Sequence, residues 1–298
     1  MSDFRLKVFR SVAKNLSFTK ASQELFVSQP AITKHIQELE AAYRTRLFDR
    51  QGSRISLTES GRLLLEHCER ILEDYKRLEY EMHLLHNEYT GGLKLGASTT
   101  IAQYVLPPLL ATFIGKFPQV DLSLLNGNSR EIEAALQEHR IDLGFVEGVF
   151  RLPNIKYTTF LEDELVAVVR TGSKLEVGEE ITPEELLHLP LVLRERGSGT
   201  LDVFERALLQ HNIKLSSLQV LMYLGSTESI KLFLEHTDCL GIVSVRSIAR
   251  ELYSGRLRVV EIKGMPMLRD FSFAQPQGQE GGLAQVFMQF AMHNNDKL

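Results

Sequence analysis

Two groups of polar residues in this chain have the types and spacing that recognise other molecules by hydrogen bonding. The first begins at Ser28, a good helix N-cap, with Pro30 in the first helical turn, where its missing N–H costs nothing. Beyond this cap, the pattern predicts that Gln29, Thr33 and Lys34 are exposed. Such side chains hydrogen-bond the edges of bases, and Lys34 can also reach a phosphate. We therefore take Ser28, Gln29, Pro30, Thr33 and Lys34 as candidate contacts to double-stranded DNA.

The second group consists of hydroxyl-rich and glycine-rich turns that follow predicted strands. In open α/β sheets, ligands bind beyond the carboxyl ends of the strands. One of these turns, GSGT, opens a helix, so its free N–H groups favour an anion. The alternative is that these hydroxyls only cap helices and form turns. The candidate effector-binding residues are Ser98, Thr99, Thr100, Asn126, Asn128, Gly197, Ser198, Gly199, Thr200 and Thr227.

Two acidic residues stand beside these turns and would oppose an anion if they faced it. They are Glu147 and Glu228. We expect at least one of them to face solvent or to pair with Arg194 or Arg196.

The first group must be positioned by a helix-turn-helix. Helices are predicted over residues 3–14, 18–26 and 28–41, and the last is the recognition helix. A short basic loop follows, and its Arg50 and Arg54 suit phosphate or narrow-groove contact. The alternatives are an ordinary helical hairpin and a merely solvated turn. The apolar residues spaced to pack the second helix against the third are Leu25, Val27, Ile32, Ile36 and Leu39.

Charge separates this segment from the rest of the chain. Residues 1–58 carry a net charge of +5, whereas the remainder carries −9. A basic segment on an acidic protein is the expected electrostatic footprint of a DNA-binding domain.

The run LFVSQPAITKHIQELE followed by RLFDR resembles the DNA-binding domain of the LysR-type bacterial transcription regulators. The resemblance is dense over residues 4–62, and it implies that Arg50 and Arg54 belong to a wing. Arg44 stands where many members of the family have glycine, so the recognition helix is expected to end differently. Thr33 and Lys34 stand where a Ser-Arg pair is common, which affects the base sequence that is recognised.

The segment from Thr58 to Tyr89 is predicted to be one long helix. Its apolar residues step alternately by four and three positions, a heptad pattern held over about four heptads. Such a narrow stripe predicts pairing with a second copy, and the alternative is a lone buried helix. The stripe consists of Leu64, Cys68, Ile71, Tyr75, Leu78, Met82, Leu85 and Tyr89, which makes Cys68 a small apolar residue of the seam.

Beyond a hinge at residues 90–92, strands alternate with helices in two groups, which predicts an α/β fold of two Rossmann-like lobes with a cleft between them. The predicted elements include a helix over residues 103–117, a strand over residues 165–169 and a helix that starts at a capping box of Thr182 and Glu185. The family resemblance implies the architecture of periplasmic binding proteins, in which the last segment returns to the first lobe. The expected domains are a winged helix-turn-helix at 1–57, a dimerisation helix at 58–89, and an effector domain at 93–298, with lobe one at 93–163 and 267–298 and lobe two at 164–266.

Several classes of protein are disfavoured by what the sequence lacks. It contains no P-loop, no G-x-S-x-G, no G-x-G-x-x-G and no zinc spacing, so we expect no catalytic residue, no metal and no cofactor. An enzyme with Ser198 as nucleophile lacks a nearby histidine base. No signal peptide or run of 18 apolar residues is present, so a cytoplasmic protein without membrane contact is expected. A plain binding protein that never contacts DNA conflicts with the basic helix-turn-helix.

The leading interpretation is a transcription regulator that binds a small polar or anionic effector between two lobes. It is expected to form a dimer and a dimer of dimers, and RNA polymerase remains open as a partner. The segments STTIAQYVLP, FVEG, RERGSGT and LGSTESIK resemble a subgroup of the family that controls assimilation of inorganic nutrients, such as sulfur or carbon dioxide.

Overall fold

The structure is a computed structural model that describes residues 4–51, 54–86, 89–278 and 281–295. The chain divides into two compact units, residues 1–88 and residues 89–298.

The first unit is a winged helix-turn-helix followed by a long helix. Its core is formed where the apolar faces of the first three helices meet, and Val8, Phe9 and Ile32 have no exposed surface there. The three-helix head predicted from the sequence is therefore confirmed. The elements are α1 (Phe4–Asn15), α2 (Phe18–Glu24), α3 (Gln29–Tyr43), the antiparallel strands β1 (Phe48–Gln51) and β2 (Arg54–Leu57), and α4 (Glu59–His86).

Both ends of α3 are set by particular residues. At its start the Ser28 hydroxyl accepts a hydrogen bond from the Ala31 N–H at 3.4 Å, and Pro30 lies in the first turn, as the sequence predicts. At its end Arg44 adopts a left-handed conformation with φ of 54°; its N–H donates to the Ala41 carbonyl, and the N–H of Thr45 donates to the Glu40 carbonyl. The arginine thus takes the backbone conformation that glycine adopts most readily at a helix C-terminus. The helix still runs two residues beyond the predicted end at 41.

Cys68 does not belong to a dimer seam. Its Sγ atom donates to the main-chain oxygen of Leu6 at 3.3 Å, and the side chain is buried in the core of its own unit together with Leu72. Burial raises the pKa of the Cys68 thiol to about 11. The prediction for Cys68 was wrong because this part of α4 packs against α1. Farther along α4, Ile71 and Leu78 keep 39% and 51% of their surface exposed within the unit.

The second unit is an α/β domain built on one continuous sheet. The strands are β3 (Gly91–Ser98), β4 (Val120–Gly127), β5 (Leu143–Glu147), β6 (Ile155–Arg170), β7 (Glu180–Ile181), β8 (Pro190–Arg194), β9 (Gln219–Leu224), β10 (Leu240–Ser244), β11 (Leu257–Ile262) and β12 (Leu268–Pro276). The helices are α5 (Thr99–Tyr104), α6 (Leu106–Lys116), α7 (Ser129–Gln137), α8 (Gly199–Gln210), α9 (Thr227–His236), α10 (Ala249–Tyr253) and α11 (Gly282–His293).

Strand β6 connects the two halves of this sheet. The order is β4-β3-β5-β12-β6-β10-β8-β9, with β11 also on β6. Residues 155–164 of β6 pair with β12, and residues 165–170 pair with β10 and β11. The sequence predicted only residues 165–169 as a strand here. The first part of β6 is rich in polar residues and lacks the continuous apolar run of the second part, so its extended conformation was missed.

Two other predicted elements differ in detail. The helix expected over residues 103–117 is split at Val105 into α5 and α6, because Pro107 and Pro108 favour a new helix start. The capping box at Thr182 and Glu185 forms, but it starts only a 3-10 turn over Glu185–His188.

Candidate functional site

Arg194 ends strand β8 and is 2% exposed. Its Nε and Nη2 atoms donate to the two carboxylate oxygens of Glu195 at 2.8 and 3.0 Å. Nη2 also reaches Thr99 Oγ1 at 3.3 Å, and Nη1 lies 3.5 Å from Thr227 Oγ1. This arginine therefore brings together two of the predicted site residues, one after β3 and one at the start of α9.

Glu147 ends strand β5 and gathers two more of the predicted hydroxyls. Its Oε1 atom accepts hydrogen bonds from Thr100 and Thr200, each at 3.3 Å. Thr100 lies in α5 and Thr200 in α8, so the carboxylate joins elements that follow strands in different halves of the sheet. All three side chains are buried.

Arg269 completes this network, and sequence reasoning missed it. Its Nη2 lies 3.2 Å from Glu147 Oε2 and its Nη1 donates to Thr200 Oγ1 at 3.0 Å. Its Nε donates to Asp163 at 2.7 Å, and Asp163 also accepts from Ser244 at 2.7 Å. A signal was present in the segment LRDFSFA, because strand alternation puts Arg269 on the same face as Phe271 and Phe273. An arginine on a buried face needs buried partners.

Ser98 and Ser198 precede helices, yet neither hydroxyl caps its helix. Both side chains are 1% exposed, and neither Oγ atom has a hydrogen-bond partner among the described residues. A buried hydroxyl that makes no hydrogen bond costs about 1–3 kcal/mol. The capping explanation therefore fails for these two serines, and their hydroxyls are available to a ligand.

The glycines of this region permit close main-chain packing. Gly148 has a φ of +117°, and a Cβ atom built there would lie 3.1 Å from the Cα of Gly199. A Cβ atom at Gly199 would lie 2.2 Å from the carbonyl oxygen of Glu147. Gly197, with a φ of +92°, packs instead against side-chain atoms of Asn128 and Arg130. The main chain at Gly148 thus packs directly against the start of α8 at Gly199.

Two predicted site residues do not join the cluster. Asn126 is exposed on the edge strand β4. The side chain of Asn128 accepts from the N–H of Glu131 at 3.0 Å, while the Glu131 carboxylate accepts from the N–H of Asn128 at 2.8 Å. This is a complete capping box for α7, so the capping alternative holds for Asn128.

Neither of the two flanking carboxylates pairs with Arg194 or Arg196. Glu147 is bound to Arg269, as described above. Glu228 is half-exposed, forms an ion pair with Lys231 at 2.7 Å and accepts a hydrogen bond from Tyr104. Burial acts to raise the pKa of Glu228, but the hydrogen bonds from Lys231 and Tyr104 outweigh it and lower the pKa. Of the two residues, only Glu228 reaches solvent, in line with the expectation that at least one would.

In the first unit, the candidate DNA contacts lie along one side of α3. Ser28, Gln29, Pro30 and Lys34 are exposed, and Thr33 is half-buried, with its hydroxyl donating to the Gln29 carbonyl at 3.1 Å. The side chains of Arg50 and Arg54 lie outside the described residues. Their main chains belong to β1 and β2, where Arg50 is opposite Ile55.

Two family models match this chain over most of its length. Residues 4–62 match the bacterial regulatory helix-turn-helix protein of the lysR family, and residues 86–295 match the LysR substrate binding domain. The chain belongs to the LysR family of transcriptional regulators. The family predicted from the sequence, and with it the winged helix-turn-helix and two-lobed α/β fold, is confirmed.

Several LysR regulators are similar to this chain over most of their length. An uncharacterized HTH-type transcriptional regulator, YeiE of Escherichia coli K12, is 36% identical over 258 residues, 87% of this chain and 85% of YeiE. The RuBisCO operon transcriptional regulator of Acidithiobacillus ferrooxidans is 30% identical over 275 residues, 92% of this chain and 88% of its own. The CcmR regulatory domain of Synechocystis PCC6803, solved in complex with 2-PG, superposes with a TM-score of 0.62 at 27% identity. That match covers 68% of this chain and 97% of the CcmR domain.

In the part of the chain that the structure describes, no helix has the length and apolar character needed to cross a membrane.

Proposed function

We propose that this LysR regulator senses a small oxyanion held where Arg194, Ser98, Ser198 and the start of α8 converge. The observation that carries the proposal is the pair of buried serine hydroxyls at helix starts that do not cap their helices. Helix α8 is twelve residues long, and the N–H groups of its first turn favour negative charge. Four threonine hydroxyls surround the proposed site. Arg194 bonds to those of Thr99 and Thr227, and Glu147 bonds to those of Thr100 and Thr200.

The balance of buried charge limits the kind of anion. The Arg194 guanidinium is matched by Glu195, and that of Arg269 is matched by Glu147 and Asp163. No strong excess of positive charge remains to neutralise a multiply charged ligand. We therefore expect recognition through hydroxyl and N–H donors, which suits a small anion of low charge.

The names of the relatives favour a metabolic role in carbon or sulfur assimilation. The Acidithiobacillus relative is a regulator of a RuBisCO operon, and the CcmR domain was solved with 2-PG. This chain also carries the segments noted above that resemble regulators of inorganic nutrient assimilation. Suitable probes are therefore hydrogen sulfite and hydrogen carbonate, and the multiply charged sulfate, thiosulfate and 2-PG serve as comparisons that should bind more weakly.

The remaining parts of the proposal follow the order of the chain. Residues 1–57 bind DNA through Ser28, Gln29, Pro30, Thr33 and Lys34 and through the wing arginines Arg50 and Arg54. Residues 58–89 dimerise, residues 90–92 form the hinge, and residues 93–298 bind the effector. Dimers pair into tetramers in the cytoplasm, and RNA polymerase is a further partner. No enzymatic role is proposed, because the Ser198 hydroxyl has no base within hydrogen-bond reach among the described residues.

The test compares two N-cap serines of the same domain. Ser198 makes no capping bond, whereas the Ser226 hydroxyl accepts from the N–H of Ser229 at 3.1 Å. We expect Ser198→Ala to have the same melting temperature as the wild-type protein when no ligand is present. The probe that raises the melting temperature of the wild type should not raise that of Ser198→Ala. Ser226→Ala should lower the free energy of unfolding by about 1 kcal/mol. An unchanged ligand response in Ser198→Ala would reject the proposed site.

A further inference from the structure

A cavity lies beside the loop that follows β5, and Asp163 and Arg269 of the network described above contribute to its lining. Its volume is about 350 Å³. Residues of both charge signs line it, and those on which the argument depends are Arg151, Glu162, Arg206 and Asp270.

Strand geometry shows that three of these side chains share one face of the sheet. Asp270 is directly opposite Glu162 in the antiparallel ladder of β12 and β6, and opposite residues point to the same face. Ser272 is two residues beyond Asp270 and so lies on that face too. Arg151 donates from Nη2 to Ser272 Oγ at 3.1 Å. Its guanidinium therefore lies over the same face as the two carboxylates.

The two carboxylates form a like-charge pair, although Asp270 accepts a hydrogen bond from Thr159 Oγ1 at 3.4 Å. Side chains directly opposite each other in such a ladder are about 5 Å apart, and like charges there are destabilising. Within the described ranges, neither Glu162 nor Asp270 has an ion-pair partner within 4 Å. Arg246 binds the main-chain oxygen of Glu162 at 3.1 Å, and its Nε lies 3.7 Å from Asp163. This pair of carboxylates would be stabilised by a cationic group.

No carboxylate of the described residues pairs with either Arg151 or Arg206. The guanidinium of Arg151 stacks on the ring of Tyr157, 4.4 Å from its centroid, while the Tyr157 hydroxyl donates a hydrogen bond to Glu133 at 2.6 Å. Arg206 is exposed on α8, and no hydrogen bond or ion pair of its side chain is found in the described part of the chain. Arg269 and Asp163, which also line the cavity, pair with each other at 2.7 Å, whereas the opposite charges of Arg151, Arg206, Glu162 and Asp270 do not neutralise each other.

We propose that this cavity binds a small zwitterion, an α-amino acid. Its carboxylate binds between Arg151 and Arg206, and its ammonium group binds between Glu162 and Asp270. Arginine forks bind carboxylates in a bidentate manner, and an ammonium group donates three hydrogen bonds. The cavity volume accommodates an amino acid with room for its side chain.

The position of the cavity couples it to the effector site. Asp163 and Arg269 are adjacent in sequence to Glu162 and Asp270, and their side chains form the network with Glu147 and Thr200. A ligand that draws Glu162 and Asp270 together acts on the same two strand segments. This coupling rests on the proposed function, whereas amino-acid binding does not.

The test uses the full-length protein and the twenty common L-α-amino acids at millimolar concentration, with thermal denaturation as the measurement. At least one amino acid should raise the melting temperature. For that amino acid, neither the matching decarboxylated amine nor the matching α-hydroxy acid should do so. Calorimetric titration should show affinity about tenfold or more weaker in Arg206→Ala and in Glu162→Gln.

Matched variants separate this site from the effector site and from a general charge effect. Arg140→Ala removes an exposed arginine of the same unit that pairs with Glu138 outside the cavity, so it should keep the full affinity. The response should also persist in Ser198→Ala, even if the oxyanion proposal fails. The inference is wrong if no amino acid binds, if the amine or the hydroxy acid alone suffices, or if Arg206→Ala and Glu162→Gln bind like wild type.

Discussion

The hydroxyl of Thr99 lies 3.3 Å from Nη2 of Arg194 and connects the end of β3 to the end of β8. The same hydroxyl donates to the carbonyl of Gly127 at 3.2 Å, so it serves as donor and acceptor at once. Ser98, its neighbour in the chain, is equally buried but has no partner among the described residues. Two adjacent hydroxyl residues therefore differ in role, one structural and the other available to a ligand.

Thr99→Val and Ser98→Ala should accordingly have different effects on stability. Thr99→Val leaves a donor of the buried Arg194 and the Gly127 carbonyl unpaired, and we expect the free energy of unfolding to fall by about 1–3 kcal/mol. Ser98→Ala removes a group that has no partner, so the free energy should stay constant or rise slightly. Urea denaturation of both variants measures the difference. Equal losses would show that the two hydroxyls have the same structural role.

The exposed face of α3 should determine base preference. Thr33→Ala and Lys34→Ala should each relax discrimination at one position of the selected DNA site, at a cost of about 1–3 kcal/mol for the preferred base. Selection from a randomised DNA library measures this. Lys20→Ala removes an exposed positive charge on α2 and should leave the consensus unchanged. If Thr33→Ala and Lys34→Ala selected the wild-type consensus, the assignment of α3 would be wrong.

The exposed apolar residues of α4 should be needed for self-association. Replacing both Ile71 and Leu78 with glutamate places charge where the stripe would meet a second copy, and we expect monomers with weak DNA binding. Light scattering measures the mass. Leu63 is 60% exposed on the same helix but lies outside the stripe, so Leu63→Glu should remain a dimer. An intact dimer in the double variant would contradict the heptad interpretation.

Glu133 should make stability depend on pH. Burial raises the pKa of its carboxyl above the ordinary value of 4.5, although a hydrogen bond from Tyr157 acts in the opposite direction. The folded state therefore holds a proton that the unfolded state releases, and stability falls as pH rises from the ordinary pKa through the raised one. One proton changes the free energy of unfolding by up to about 1.4 kcal/mol per pH unit.

Glu133→Gln should make this fall less steep while keeping an acceptor for Tyr157. Burial also raises the pKa of Asp202, so this carboxyl should maintain part of the fall in stability. Urea denaturation at a series of pH values gives the slope. Glu138→Gln on the exposed end of the same segment serves as control, since it pairs with Arg140 at the surface. A slope unchanged from wild type in Glu133→Gln would contradict the role of this carboxyl.

Local patterns made most of the fold predictable from sequence. The cap at Ser28 and the apolar spacing of α3 involve residues a few positions apart, so the sequence alone was enough to predict them. Long-range partners were harder to predict. The heptad spacing of α4 identified Cys68 as a buried apolar position. The spacing does not show whether Cys68 packs against α1 of the same chain or against a second copy of the protein.

The candidate site shows the same limit. Asn128 and Ser198 both precede a helix, yet only Asn128 uses its side chain as a cap. In the sequence both look like N-cap residues. Whether the side chain forms the capping hydrogen bond depends on the groups that surround it in the folded protein. Arg269 was missed because its partners, Asp163 and Glu147, are more than 100 residues away in the chain.

The main-chain contact between Gly148 and Gly199 also restricts how this protein can diversify. A single methyl group at position 199 would collide with the carbonyl of Glu147, and a side chain at position 148 would need an unfavourable backbone conformation. The two glycines therefore hold the surrounding main chain in place, and in the proposed site a change of ligand preference would have to come from Ser198 and Thr200, which flank the contact.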